Sequence, residues 1–433
     1  RRKKMSIKDS IRKVNAAFPA LSVLENEKRN QALRLAGETL MERKEEIFAA
    51  NEKDLAAARE AGLDAPILKR LEFNEQKLKE VVSGLHDLST LPDPVAQVQM
   101  VRELDEGLTL YRESCPIGTI GIIFESRPDA LVQISALCMK SGNCVILKGG
   151  SEALYTNRVL FSIMHGAAVQ AGFPEDCMLQ LEGREAVGEL LECDKYVDLV
   201  IPRGSNSFVQ YIMNHTRIPV MGHADGICHI YVDKDADLDK AIPILVDAKT
   251  QYVAACNTME TLLVHKDVAE QLLPRLKEAY DEKNVELRGT EEVQKIISCN
   301  PATEEDFKTE YTDYILSVKL VSDVAEAVDH INTYGSHHTD CIITENQKTA
   351  DWFMKMVDSA GVYQNCSTRF ADGYRYGFGA EVGISTGKIH ARGPVGLEGL
   401  VTYKYKLYGS GQIVADYASG KKQFHFKDLK PEK

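Results

Sequence analysis

The sequence has no long hydrophobic run and no excess of positive charge. None of its apolar stretches approaches the ~20 residues that a membrane-spanning helix needs, and we expect neither a transmembrane segment nor a signal peptide. Its 52 lysines and arginines stand against 64 aspartates and glutamates, which gives a formal net charge of −12. Because a phosphate backbone attracts basic surfaces, this balance argues against a nucleic-acid partner.

Paired cysteines are also missing. The ten cysteines are scattered, and none of them forms a Cys-x-x-Cys pair, so the usual spacing of a zinc site is absent. Scattered cysteines in a chain of this length indicate free thiols in a reducing compartment. The cluster of His330, His337, His338 and Cys341 is better explained as a polar loop between a helix and a strand, and no metal is predicted.

The chain otherwise has the composition of a globular protein. Its 433 residues, 44% hydrophobic and 27% charged, suit two or three domains. Apolar residues at helical spacing predict helices over residues 6–60 and about 74–88, and alternation predicts a β-hairpin over 98–114. From Gly118 onward short apolar strands alternate with helices, and a second such series starts near Ile227. This pattern predicts an α/β fold with two parallel-sheet domains.

Cys256 is the most informative single residue. It lies in the run AACNTMETLLVH, where small residues precede the thiol, a polar Asn-Thr pair follows, and a strand-like apolar run comes next. A nucleophilic cysteine needs such a bend, with its sulfur presented to substrate and backbone N–H groups nearby. A buried structural cysteine is the competing interpretation. His223 and His229 are expected to be structural.

Two strand ends of the first series suit a nucleotide. One strand ends in Lys148 and two glycines, and another runs into Gly204 and Ser205 at the start of a helix. A helix N-terminus offers N–H groups and a favourable dipole to a pyrophosphate, and the lysine offers a point charge. The Gly-x-Gly-x-x-Gly fingerprint is absent, and ordinary turn chemistry explains either element alone.

Together these motifs resemble the aldehyde dehydrogenase superfamily in order and spacing. A narrower set resembles γ-glutamyl phosphate reductases, and most closely the C-terminal reductase domain of the bifunctional Δ1-pyrroline-5-carboxylate synthases of animals. The likeness covers essentially the whole chain. The broader set is CPIGTIGIIFESRP (115–128), NCVILKGGSEA (143–153), RGS (203–205), DADLDKA (235–241) and the Cys256 run; the narrower set is ESRPDA, MGHADGICHIYVD and NCSTRFADG.

The resemblance implies an aldehyde dehydrogenase-like architecture. Residues 1–225 are expected to form an NADP-binding domain, with an oligomerisation hairpin inserted at about 98–114. Residues 226–395 are expected to form the catalytic domain, and 396–433 the rest of the arm and a tail. A homo-oligomer is implied.

The resemblance also assigns roles to residues. Cys256 matches the catalytic nucleophile, Lys148 the adenine-ribose lysine, and Gly204 and Ser205 the pyrophosphate turn. Glu310 falls where the family has a glutamate on the nicotinamide ribose, although a solvated carboxylate at a strand start explains it equally well.

Departures from the family pattern refine the chemistry. Val220 stands where hydrolytic relatives carry the glutamate that activates water, so an acyl-enzyme should hydrolyse poorly. Ser126 stands at the position of the oxyanion asparagine and is a candidate donor together with the backbone N–H of Cys256. The adjacent Arg127 suits an acyl phosphate, with a structural salt bridge as the alternative.

Cofactor preference and head-group binding depend on five further residues. Ser151 occupies the position where NAD-preferring relatives place a glutamate, which favours NADP, although a shift of one residue would bring Glu152 there. Asn365, Arg369 and Asp372 are candidates for binding the amino-acid end of the substrate. A loop whose polar groups bond one another is the competing interpretation.

The sequence therefore predicts NADPH-dependent reduction of L-glutamyl 5-phosphate to L-glutamate 5-semialdehyde. Phosphate leaves, a cysteine thioester forms, and the step belongs to proline and ornithine biosynthesis. A hydrolytic semialdehyde dehydrogenase and a non-catalytic assembly domain are the alternatives. A glutamate kinase domain is expected on the same chain or as a partner. Resemblance to the animal enzymes implies a mitochondrial location, with the cytoplasm as the alternative.

Overall fold

The computed structural model describes residues 6–223, 225–379 and 381–431. The chain forms two compact units. Unit 1 comprises the described residues up to Met221, Gly379–Gly383 and those from Val395 onward; unit 2 comprises Gly222–Phe378 and Ile384–Pro394. No helix in the described part of the chain has the length and apolar character that crossing a membrane requires.

Unit 1 opens with helices. The region predicted as helix over residues 6–60 is divided into three, because the backbone leaves the helical conformation at residues 22–25 and at Arg43. Side chains of Ser6 and Asn74 accept hydrogen bonds from backbone N–H groups at two of the starts, which satisfies otherwise unpaired donors. The helices are α1 (Ile7–Leu21), α2 (Asn26–Glu42), α3 (Lys44–Glu60), α4 (Ala65–Leu71) and α5 (Glu75–Thr90).

The hairpin predicted over residues 98–114 is confirmed. Strands β1 (Val98–Asp105) and β2 (Leu108–Pro116) pair antiparallel across a turn at Glu106 and Gly107. Gly107 has a φ of 70°, which suits glycine in a tight turn.

A four-stranded parallel sheet follows, with the order β5-β4-β3-β6. In-register pairing places Phe124, Gly149 and Arg203 side by side. The carboxyl ends of three strands therefore meet at one edge, which is where ligands bind in sheets of this kind. The elements are β3 (Thr119–Phe124), α6 (Pro128–Ser141), β4 (Cys144–Gly149), α7 (Leu154–Gln170), β5 (Met178–Gln180), α8 (Glu185–Leu191), β6 (Leu199–Arg203) and α9 (Asn206–Asn214).

Unit 2 is built on a seven-stranded parallel sheet with the order β10-β9-β11-β8-β7-β12-β13. Its central strands are completely buried, as is typical of a parallel sheet covered on both faces. The elements are β7 (Cys228–Val232), α10 (Leu238–Thr250), β8 (Met259–His265), α11 (Lys266–Asp281), β9 (Glu286–Gly289), α12 (Glu291–Gln294), β10 (Asn300–Pro301), β11 (Ile315–Val321), α13 (Val324–Tyr334), β12 (Thr339–Ile343), α14 (Gln347–Met356) and β13 (Gly361–Gln364).

The last strands complete the arm. Two short strands, β14 (Gly383–Ser385) and β15 (Gly393–Val395), form a ribbon. Then β16 (Val401–Tyr408) pairs antiparallel with β2, and after the helix α15 (Val414–Ala418) β17 (Lys427–Leu429) pairs with β1. The predicted hairpin and tail thus share one four-stranded sheet. Its use in oligomerisation stays a prediction.

One buried amide joins three segments of unit 1. Asn143 accepts a hydrogen bond from the Gly118 N–H at 2.9 Å, and its Nδ2 donates to the Leu400 carbonyl and to the Ser141 hydroxyl, both at 2.8 Å. Asn143 is 2% exposed. The strand that carries Lys148 is therefore fixed at its start to the chain ahead of β3 and to the chain ahead of β16.

Replacing Asn143 by alanine should destabilise unit 1. The change leaves the Gly118 N–H and the Leu400 carbonyl buried without these partners, which costs about 2–3 kcal/mol. Urea denaturation followed by circular dichroism should show a clearly lower midpoint. Gln76→Ala is the control, because Gln76 is exposed and its side chain bonds only the exposed Glu80. Equal midpoints for the two variants would contradict the structural role of Asn143.

Candidate active site

Lys148 lies at the carboxyl edge of the sheet of unit 1, as predicted. Its Nζ donates to the Gly149 carbonyl at 2.6 Å. Burial lowers the pKa of Lys148, and the carboxylates of Glu152, Glu185 and Glu125 oppose that shift. The lysine is thus a largely buried cation surrounded by acids.

Gly204 and Ser205 form the predicted turn before α9, and the turn already binds an anion. The Ser205 N–H donates to Oε2 of Glu125 at 3.2 Å. A Cβ atom at Gly204 would lie 2.6 Å from the same oxygen, so only glycine admits the carboxylate so closely. A negative group is favoured at a helix N-terminus. The sequence analysis did not single out Glu125, whose placement depends on the pairing of β3 with β6.

Ser126 is held by a second carboxylate. Its N–H and its hydroxyl donate to Oε1 of Glu152 at 2.6 and 2.8 Å, with the backbone of Ser126 at a φ of 44°. The single hydroxyl proton is therefore used within unit 1, and a role at the oxyanion stays a prediction that requires this bond to be exchanged. Ser151 is exposed, and Glu152 is turned toward Ser126.

Arg127 is exposed at the start of α6. No carboxylate lies within ion-pair distance of it among the residues that the structure describes. The alternative reading of Arg127 as part of a structural salt bridge is therefore not found in this part of the chain. Its guanidinium is accessible, as binding of an anion requires.

Cys256 lies at the amino-terminal edge of the sheet of unit 2, in a turn ahead of β8. The turn is closed by a hydrogen bond from the Thr258 N–H to the Ala255 carbonyl at 2.9 Å, and the thiol is half-buried. A Cβ atom at Gly226 would lie 2.2 Å from the carbonyl oxygen of Cys256 and 2.5 Å from its Cα. Any side chain at position 226 would therefore collide with the backbone of this turn. Cys138 is a different kind of cysteine, since it is completely buried and burial raises its pKa to about 12.

Two histidines accompany this thiol. One ring nitrogen of His223, one of His338 and Sγ of Cys256 all lie within 4.8 Å of one another. His338 lies in the loop between α13 and β12, as predicted. The structural role expected for His223 stays a prediction; the place of both rings beside the thiol was not predicted. His229 is completely buried against Asp340, with 3.1 Å between Nδ1 and the carboxylate, the structural place that was expected. Since His223 precedes β7 and His338 precedes β12, only the parallel order β8-β7-β12 in the sheet brings the three together.

Arg369 is the predicted substrate residue that lies near the thiol. Its Nε donates to Oε1 of Gln251 at 3.0 Å, and its guanidinium lies 6.0 Å from the ring centre of Tyr252. Burial lowers the pKa of Arg369, and the neighbouring sulfur of Cys256 opposes the shift. A largely buried cation beside the nucleophile suits an anionic substrate.

The other two predicted substrate residues support loops. The amide of Asn365 accepts from the Thr344 N–H at 2.9 Å and donates to the Thr344 carbonyl at 3.0 Å, beyond the carboxyl end of β12. Asp372 accepts the N–H groups of Tyr374 and Arg375 at 3.0 and 3.1 Å. The competing interpretation of a self-bonded loop therefore describes both side chains in this structure.

Glu310 is close to a buried ion pair that the sequence analysis missed. Lys249 donates to Glu260 at 2.6 Å, and both side chains are completely inaccessible. Burial raises the pKa of Glu260 to about 7 and lowers that of Lys249, and the charge of Glu310 acts on both. A glutamate four residues after Cys256 at the head of an apolar strand was the available signal.

Comparisons with known proteins agree with this arrangement. The Aldehyde dehydrogenase family profile matches residues 1–298. A γ-glutamyl phosphate reductase of Acetivibrio thermocellus is 60% identical over 420 residues, which are 97% of this chain and 97% of that protein. The crystal structure of a γ-glutamyl phosphate reductase from Thermotoga maritima is 40% identical and has a TM-score of 0.93 over 94% of this chain and 100% of that one.

The chain therefore belongs to the aldehyde dehydrogenase family. Within that family it is a member of the γ-glutamyl phosphate reductases, which are oxidoreductases. Both levels of the resemblance and the predicted fold class are confirmed.

These relatives do not have the two-enzyme organisation that the resemblance to the animal proteins led us to expect. A second relative, γ-glutamyl phosphate reductase 1 of Synechocystis, is 56% identical over 410 residues. This chain covers 97% of the Acetivibrio protein and 95% of the Synechocystis protein, which leaves no room in them for a kinase domain. The expected kinase domain on the same chain and the mitochondrial location thus find no support in these bacterial proteins.

Substituting Gly226 by alanine should disturb the nucleophile. Because the new Cβ would meet the backbone of Cys256 at 2.2 Å, the turn has to move, and a displacement of about 1 Å can cost 10²-fold in rate. Iodoacetamide labelling of Cys256, followed by peptide mapping, should also change in rate.

The matched control is Gly166→Ala in α7. A Cβ atom at Gly166 meets nothing within 4 Å, and alanine is favoured over glycine in a helix by about 1 kcal/mol. Its labelling rate should equal that of the unsubstituted protein. If Gly226→Ala also left the rate unchanged, the close approach would not be what fixes the thiol.

Proposed function

We propose that this protein reduces L-glutamyl 5-phosphate to L-glutamate 5-semialdehyde with release of phosphate, using NADPH. The observation that carries the proposal is the half-buried thiol of Cys256 in a turn that Gly226 fixes, joined to the segment after Arg369 by a hydrogen bond from Asn257 to the Ala371 carbonyl at 2.9 Å. The relatives at 60% and 56% identity carry the name of this activity. The step belongs to proline biosynthesis.

The first step is acyl transfer to sulfur. The Cys256 thiolate attacks the carbonyl carbon of the acyl phosphate, a C–S bond forms, and the C–O bond to phosphate breaks. Phosphate leaves as a stable anion and needs little acid assistance. We propose the backbone N–H of Cys256 and the hydroxyl of Ser126 as donors to the developing oxyanion, with the hydroxyl exchanging its bond to Glu152.

The thioester is then reduced. NADPH, when bound, supplies the hydride for the acyl carbon. The resulting hemithioacetal oxyanion re-forms the carbonyl and expels the Cys256 thiolate, which is thereby restored. Atoms balance, since one acyl phosphate and one hydride give one aldehyde and one phosphate. The semialdehyde cyclises spontaneously to pyrroline-5-carboxylate.

The residues of unit 1 suit such a cofactor. The turn at Gly204 and Ser205 accepts a carboxylate oxygen at its N–H group, so a pyrophosphate oxygen fits the same donor. Lys148 is assigned to the adenine ribose. Glu310, a residue of unit 2, keeps the nicotinamide-ribose role that the resemblance implies. Ser151 leaves the ribose 2′ position without a fixed negative charge, because Glu152 is held by Ser126. This favours NADPH over NADH.

Substrate recognition uses cations. We propose that Arg369 binds the carboxylate of the glutamyl head group and that Arg127 binds the phosphate. For Asn365 and Asp372 we propose an indirect role, in which they shape the loops beside the substrate. Asn365 bonds Thr344, and Asp372 bonds the N–H groups of Tyr374 and Arg375.

The hydrolytic alternative lacks its base. Val220 replaces the glutamate of hydrolytic relatives, and in unit 1 it pairs with Val200 in a β-bridge. An alkyl side chain cannot activate water. We further propose a homo-oligomer assembled through the arm, a separate glutamate kinase that supplies the acyl phosphate, and the cytoplasmic location that bacterial relatives suggest.

Replacing Cys256 by alanine should abolish NADPH oxidation, because the thioester cannot form. The assay couples glutamate, ATP and an added glutamate kinase to the loss of NADPH absorbance. A variant that retains near wild-type rate would refute the nucleophile.

A second arm of that experiment separates reductase from hydrolase. In the reverse direction, NADP⁺ reduction with semialdehyde should require phosphate, because the thioester is released to phosphate and not to water. Equal rates with and without phosphate would favour the hydrolytic alternative.

Ser151→Glu should shift the cofactor preference toward NADH. The new carboxylate repels the 2′-phosphate, and about 1.4 kcal/mol of repulsion changes the ratio tenfold. The kcat/KM ratio for NADPH over NADH should fall by about tenfold or more. Ser151→Gln, which has the same shape without the charge, is the control and should change the ratio little. Equal effects of both variants would indicate crowding in place of charge.

A further inference from the structure

Unit 2 places one thiol and two imidazoles around a common point. The ligand atoms of Cys256, His223 and His338 lie within 4.8 Å of one another, and the two rings meet edge to face with centres 5.1 Å apart. His338 is 1% exposed, whereas the thiol and His223 are half-buried. The cluster is thus closed on one side and open on the other.

The ring of His223 is oriented by a backbone group. Its Nδ1 lies 3.0 Å from the carbonyl oxygen of Ile384. A carbonyl only accepts, so the proton of the neutral ring is on Nδ1 and the lone pair is on Nε2. Histidines that bind metals nearly always donate their other N–H to such an outer partner, which fixes the tautomer.

His338 has an outer partner of a different kind, a hydroxyl that can accept from the ring or donate to it. Its Nδ1 lies 2.9 Å from the hydroxyl oxygen of Thr339, and a metal on Nε2 requires the tautomer in which Nδ1 donates. Its Nε2 is buried and has no hydrogen-bond partner among the described residues. A buried polar nitrogen without a hydrogen-bond partner lowers the stability of the fold, so a bound ligand that pairs with it would be stabilising.

We propose that Cys256, His223 and His338 bind a zinc-class divalent cation, which blocks the nucleophile reversibly. Sulfur and imidazole ligands select zinc over magnesium or calcium. Three protein ligands leave one tetrahedral position open. The inhibitory half of this inference rests on the proposed function; the binding half does not.

Two features keep such a site from being a permanent one. Bond lengths of about 2.0 Å to nitrogen and 2.3 Å to sulfur place tetrahedral ligands under ~4 Å apart, so the ligand atoms have to move closer together. The cation of Arg369 interacts with the sulfur of Cys256 and opposes a second positive charge nearby. We therefore expect binding that a chelator reverses.

The proposed site differs from the prediction that no metal binds. The spacing of His330, His337, His338 and Cys341 led to no metal being predicted. Of these four only His338 belongs to the new set, and its partners are 82 and 115 residues away in the chain. Rules based on ligand spacing in the sequence do not detect this set, because each ligand lies just ahead of a different strand.

Cobalt(II) is the direct probe. Titration of the metal-free full-length protein should give tetrahedral d–d bands and a sulfur-to-cobalt charge-transfer band that saturates at one equivalent. Added Zn²⁺ should remove the bands, slow the iodoacetamide labelling of Cys256 and inhibit NADPH oxidation, and EDTA should restore both rates.

Variants define the ligands. His223→Gln and His338→Gln should each weaken cobalt binding by at least 100-fold, and Cys256→Ala should abolish the charge-transfer band. Thr339→Val keeps all three ligands and removes only the outer partner of His338, so about a tenfold loss is expected. His337→Gln is the control and should bind normally, because His337 bonds the Asp358 carbonyl outside the cluster.

The outcomes separate the two proposals. Absence of the charge-transfer band, or equal cobalt affinity in both histidine variants and the unsubstituted protein, overturns the metal site whatever the enzyme activity. A protein that shows the band but never oxidises NADPH retains the site and overturns the proposed function. Near-wild-type circular dichroism spectra of Thr339→Val and the histidine variants show that lost binding does not reflect unfolding.

Discussion

Parallel pairing of neighbouring strands is the constraint on which both candidate sites depend. In unit 1 it aligns the carboxyl ends of β3, β4 and β6, so that Glu125, Lys148 and Ser205 share one edge. In unit 2 it aligns the amino ends of β7, β8 and β12, so that Cys256 stands with His223 and His338. The residues proposed for the cofactor thus lie at the carboxyl edge of their sheet, where ligands usually bind, whereas Cys256 lies at the amino edge of its sheet.

Carboxylates of the chain itself accept from the donors at the predicted cofactor site. Glu125 accepts from the Ser205 N–H, and Glu152 accepts from both donors of Ser126. Ligand binding therefore exchanges one set of hydrogen bonds for another, and only the difference contributes to affinity. At the thiol a ligand would not have to replace a hydrogen bond to Nε2 of His338, since this atom has no such partner in the described chain.

Sequence reasoning succeeded where the signal was local. The strands, the hairpin over residues 98–114, the turn at Gly204 and the turn that holds Cys256 all follow from periodicity and from short motifs. It was weaker for side chains whose partners are remote. Asn365, a candidate for the substrate with a self-bonded loop as the alternative, bonds Thr344, and His223, expected to be structural, lies beside Cys256. Neither outcome has a local pattern.

The sequence by itself determined the α/β class and the family and singled out Cys256 as the proposed nucleophile, because each follows from the order of apolar runs and short motifs. It also excluded a water-activating glutamate, since Val220 stands at that position. Only the tertiary structure decided which side chains surround the thiol and which carboxylates occupy the cofactor turn. Those neighbours come from strands distant in the chain, and their meeting depends on sheet order and register, which no single segment encodes.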